Sequence, residues 1–110
     1  MKRYIKGSDL LDEEFVPEIT KEYGNEIIDT VVEEVTDCIR ARYRNASVES
    51  KDAVIKPNEI HAVIIIWNKN TELRRMSFDF NAYDEYFDEK DYFSHINRTI
   101  RKFVSAICQR

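Results

Sequence analysis

Glycine and proline are scarce, with two of each in 110 residues. Gly7 and Gly24 cannot build a glycine-rich loop that cradles phosphate, which excludes nucleotide sites of that kind. So few turn formers also leave room only for short connections, so most of the chain must be regular. Cysteine is equally rare. Cys38 and Cys108 lie seventy residues apart, which fits neither a disulfide framework nor the paired spacing of a zinc site. Both fall on the apolar side of a predicted helix and read as small, reduced core residues. The longest strongly apolar stretch, Ala62 to Trp67, is far too short to span a bilayer. The first fifteen residues hold no apolar run of signal-peptide length. A soluble, reducing, cytoplasmic setting is expected. His61 and His95 have no sequence-adjacent ligand partner, and no nucleophile elbow is present. The sequence therefore predicts no enzyme, no cofactor and no bound metal.

What is there is a folded domain. A hydrophobic content of 43% with 12% aromatic residues excludes a disordered acidic tail despite 35% charge. The length predicts one domain over 1–110. Ile27, Ile28, Val31, Val32, Val35, Cys38 and Ile39 recur at steps of one, three and four, marking one face of a helix. It is expected to start at Thr20 or Asn25 and to fray near Arg44-Asn45. Phe93, Ile96, Ile100, Phe103, Val104 and Ile107 predict a second helix, capped by Asp84 or Asp88. A short helix over Ser8–Phe15, stopped by Pro17, is also expected. Between the long helices the period changes to two. Ile60 to Trp67 reads as a strand covered on both faces or packed centrally. Asn68-Lys69-Asn70-Thr71 reads as a turn with Asn in the left-handed region, and Met76, Phe78 and Phe80 alternate with Arg75, Ser77 and Asp79. A further strand within Val48–Lys56, ended by Pro57-Asn58, completes a meander. The expected fold is α+β: a two- to three-stranded antiparallel sheet with both long helices on one face, in the order α-β-β-β-α.

The net charge of −4 conceals blocks. Residues 1–8 carry +3, 9–37 carry −10, 38–78 carry +4, 79–91 carry −5 and 92–110 carry +4. Helices favour acids at their N-termini and bases at their C-termini, which explains much of the alternation. A surplus remains. Glu22, Glu26, Asp29, Glu33 and Asp37 form one stripe opposite the apolar face of the first helix. Like charges at these spacings cost about 0.2–0.5 kcal/mol per pair, so the stripe costs roughly 1 kcal/mol in all. Fifteen residues of helix rise about 22 Å, so the stripe carries one charge per roughly 5 Å. Duplex DNA carries one per about 1.7 Å, too dense for the stripe to imitate unaided.

The second surplus runs from Phe78 to Phe93. It interleaves Tyr83, Tyr86, Phe87 and Tyr92 with Asp79, Asp84, Glu85, Asp88, Glu89 and Asp91. Rigid aromatics among carboxylates are the composition of a protein-binding hot spot. Stripe and segment together are the expected partner-binding residues, facing a basic protein surface such as a nucleic-acid-binding cleft. The profile is that of a stoichiometric inhibitor, and it resembles inhibitors carried by phages or mobile elements and immunity proteins.

Two other readings use different residues. Arg40, Arg42, Arg44, Lys69, Arg74, Arg75, Arg98, Arg101 and Lys102 converge if both helix C-termini approach the hairpin tip, forming a nucleic-acid module. The element order resembles that of double-stranded RNA-binding domains, but Asp84 to Asp91 stand where those domains carry a lysine-rich phosphate clamp. Alternatively, Ile60–Trp67 or an exposed aromatic patch pairs with itself in a homodimer.

Overall fold

The first long helix starts where a hydroxyl satisfies its open end. Thr20 is the cap, and its Oγ1 accepts from the Tyr23 amide at 3.0 Å. Helix α1 spans Lys21–Arg40 and buries Gly24, Ile27, Ile28, Val31, Val35 and Ile39. It ends before Arg44, because an irregular turn through Tyr43 leads into the sheet. The computed structural model describes residues 18–82 and 89–109, with backbone alone for 89–93. The helix expected over Ser8–Phe15 lies outside the described residues, as do both expected caps of the second helix.

Strands β1 (Ala46–Lys56), β2 (Glu59–Asn68) and β3 (Thr71–Asn81) form an antiparallel sheet in the order β1-β2-β3. Helix α2, Glu89–Cys108, follows, so the order is α-β-β-β-α. The strand expected within Val48–Lys56 is present and longer. Its register shifts between Lys51 and Val54, where Asp52 takes a φ of 57°. At the β2–β3 turn the left-handed residue is Lys69, with φ 59°, rather than an asparagine. Lys69 and Asn70 form a two-residue connection, and the hairpin's twist imposes positive φ on the first loop position whatever occupies it.

Alternation along the strands sends Ile60, Ala62, Ile64, Ile66, Phe78 and Phe80 to one face. There they join the buried face of α1 and Ile96, Ile100, Phe103 and Ile107 of α2 in one core. Phe78 meets Phe103 edge to face, ring centroids 5.3 Å apart. Both helices therefore cover the same side of the sheet. Gly24 is needed for that packing: a Cβ there would lie 2.6 Å from Cγ2 of Ile55.

The two helices run parallel. The Ile19 amide bonds the Pro57 carbonyl and the Ala82 amide bonds the Asn58 carbonyl, both at 2.8 Å, tying the start of α1 and the end of β3 to the β1–β2 turn. His95, near the start of α2, bonds the Asn81 carbonyl at the same end. At the other end, Arg42 reaches the carbonyl of Cys108, and Arg74 reaches those of Ala106 and Ile107. Both C-termini thus lie beside the β2–β3 hairpin tip.

Candidate partner-binding surface

All five acids of the α1 stripe are exposed. At 100° per residue they occupy a sector about 80° wide, centred about 170° from the buried residues. None of the five makes an ion pair or hydrogen bond among the described residues. Arg40 ends the row and does not neutralise it, because its Nε donates to the Ala46 carbonyl at 2.9 Å.

Shallow depressions border the stripe on both sides. Glu33 and Asp37 stand beside one of about 300 Å³ floored by Val32 and Thr36. Glu26 stands over the α1–α2 cleft, where Tyr23, Ile27, Ile96 and Ile100 line about 140 Å³. Burial and the Glu26 carboxylate both raise the pKa of Tyr23, in that order of size. The row of unsatisfied charge therefore has small apolar footholds on either flank. The sequence reading missed the cleft, because it forms only where two helices meet.

Of the binding residues expected in the second surplus, only Asp79 has a described side chain, and it does not lie on this surface. Asp79 is exposed on β3 and hydrogen-bonded to His61 of β2, on the sheet face turned away from the helices. The whole sheet and the core separate it from the stripe. Tyr83, Asp84, Glu85, Tyr86, Phe87 and Asp88 lie outside the described residues, as do the side chains of Glu89, Asp91 and Tyr92.

The sheet face that carries Asp79 is half apolar. His61, Val63, Ile65 and Trp67 form a row along β2, flanked across the ladders by Glu49, Lys51, Arg75 and Ser77. Ile65 is 1% exposed although it lies outside the helix-packed core. Trp67 Nε1 donates to Glu49 at 2.9 Å, and Arg75 grips Glu72 through two bonds of 2.9 and 2.7 Å. That grip lowers the pKa of Glu72. β2 is therefore packed centrally, as one of the two expected arrangements had it. No described element covers its second face. Flanked by β1 and β3, it has no free edge for pairing with another copy.

The arginines do converge in part. Arg42 and Arg74 flank a cavity of about 330 Å³ that Tyr43, Leu73, Ile107 and Cys108 also line. Their bonds to α2 carbonyls, 2.7 Å from Arg42 and 3.1 and 3.3 Å from Arg74, engage both in capping the helix. One cysteine reading needs correction: Cys38 is exposed and only Cys108 is buried.

Among the described residues, no three His, Cys, Asp or Glu side chains group to hold a metal ion, and no helix is long and apolar enough to cross a membrane. Comparison with known protein families, curated proteins and solved structures finds no match.

Proposed function

We propose that the protein is a non-enzymatic binding protein that presents the acidic face of α1 to a basic surface of a partner protein. It acts as a stoichiometric blocker of a nucleic-acid-binding cleft. The observation that carries this reading is the stripe's lack of internal partners: five exposed carboxylates over roughly 22 Å of helix remain unpaired among the described residues. A helix under selection for stability alone would interleave lysines and gain about 0.2–0.5 kcal/mol per pair. Carboxylates that lack internal partners are available to steer association and to set its register. Tyr23, Val32 and the α1–α2 cleft supply apolar contact beside them.

The nucleic-acid reading is weaker, because Arg40, Arg42 and Arg74 already serve backbone carbonyls. Joint charge reversal of Glu26, Asp29 and Glu33 to lysine tests the proposal. Capture of partner protein from nuclease-treated lysate should fall at least about tenfold while the fold persists by circular dichroism. Unchanged capture by the reversed stripe would reject the proposal. Retention of DNA or RNA instead, weakening steeply with salt, would transfer the function to the basic end.

A further inference from the structure

Two thiols seventy residues apart in sequence are brought to the same end of the fold. Cys38 lies in the last turns of α1 and is exposed, whereas Cys108 closes α2 and is 5% exposed. Because the helices run parallel, their final turns lie side by side at the hairpin tip. Arg42, one turn beyond Cys38, donates to the Cys108 carbonyl at 2.7 Å. Cys108 lines the end cavity with Ile39, the neighbour of Cys38. Cys38 stands close enough for its side chain and charge to raise the pKa of Cys108. The geometry points to a modification site: Cys38 and Cys108 form an intramolecular disulfide on reaction with a hydroperoxide.

Burial sets the order of events. The exposed Cys38 thiol meets the oxidant first, and the thiolate is the reacting form of any thiol. Cys108 is pushed up to about 12, first by burial and then by the side chain and charge of Cys38, while Arg42 and Arg74 pull it down. Cys38 sulfur attacks one peroxide oxygen and the O–O bond breaks. This gives Cys38 sulfenic acid, and the departing hydroxide takes a proton to become water. Oxidation removes the charge of Cys38, a lesser cause of the raised Cys108 pKa, while burial, the largest cause, persists and both arginines remain beside it. Cys108 sulfur attacks the sulfenic sulfur, and the S–O bond breaks. The hydroxyl leaves with the thiol proton as a second water. Two thiols and one hydroperoxide become one disulfide and two waters, or water and an alcohol. The sulfurs lose two electrons and the peroxide gains them. The step requires the two sulfurs to close to the S–S length of about 2.05 Å, which a Cα separation of about 4.4–6.8 Å permits.

The bond closes a long loop and pins the end of α1 to the end of α2. It therefore restricts the unfolded chain and raises the melting temperature. The test treats the fully reduced wild-type chain with hydrogen peroxide at about pH 8, then measures intact mass and thiol content under denaturing conditions. The expected product is a monomer about 2 Da lighter with both thiols lost together, and one peptide pair containing Cys38 and Cys108. It should melt at least about 5 °C higher, an increase that a dithiol reductant reverses. In Cys108→Ser, Cys38 sulfenic acid should accumulate and react with dimedone, which the wild type should not show. Three outcomes would overturn the proposal: a Cys38-linked dimer with Cys108 still a free thiol, over-oxidation of Cys38 alone, or no thiol loss. The wild-type mass decides among them without relying on a variant's folding.

Discussion

Gly24 shows how a single residue answers to two demands at once. Glycine in a helix interior costs about 1 kcal/mol relative to alanine, so propensity alone favours replacement. The Ile55 side chain, with carbons 2.6, 2.9 and 3.0 Å from where a Cβ would stand, opposes it, because that side chain would have to shift. Overpacking of this kind costs about 1–3 kcal/mol, so Gly24→Ala should lower stability by about 1 kcal/mol in chemical denaturation. Trimming Ile55 to alanine in the same chain should turn the change at position 24 into a gain. Cys108 carries a pH signature. Its thiol ionises near 9.0 ordinarily and near 12 in the fold, so between those values the unfolded chain binds fewer protons than the native one. Stability must then fall as pH rises from about 9 to 12, with no contribution below about 9. The raised Tyr23 hydroxyl acts in the same direction. Under reducing conditions, Cys108→Ala should lose less stability than the wild type between about pH 8 and 10.5 in urea titrations.

Parallel helices pose an electrostatic problem at the level of the element. Each concentrates roughly half a negative charge at its C-terminus, and here both lie beside the β2–β3 turn. Arg42 and Arg74 answer it by binding the carbonyls of Ala106, Ile107 and Cys108. Arg74→Met keeps the apolar stem and removes the donor, so it should cost about 1 kcal/mol in thermal melts, with the cost shrinking at high salt. The elements themselves were legible in the sequence, because each long helix repeats its apolar residues over about three to four turns and each strand alternates. Thr20 was one of two residues recognisable as a cap, with Asn25, and the structure uses Thr20. The helix directions were not legible, since parallel packing follows from which ends the β1–β2 and β2–β3 turns place together. The approach of Cys38 to Cys108 was hidden with them, as was the left-handed Lys69, set by hairpin twist and not by residue preference.

Across the whole molecule, the charge blocks become a layout. Bases gather at the end holding both helix C-termini, where arginines cap backbone carbonyls, and their clustering is largely a consequence of fold electrostatics. The acidic stripe runs along the outer face of α1 and has no such use among the described residues. Helical spacing alone made the stripe legible. Asp79 did not join it, because strand alternation carries a residue between Phe78 and Phe80 to the opposite face. On the proposed reading the stripe trades stability for availability, and that trade is measurable in one variant. Asp29→Lys places a base between Glu26 and Glu33 and converts two repulsive helical pairs into attractive ones, worth about 1 kcal/mol or about 4 °C. If the stripe is a docking surface, Asp29→Lys should melt higher than the wild type and yet retain several-fold less partner protein from nuclease-treated lysate. A higher melting temperature with undiminished capture would contradict this and leave the stripe as a solvated face only.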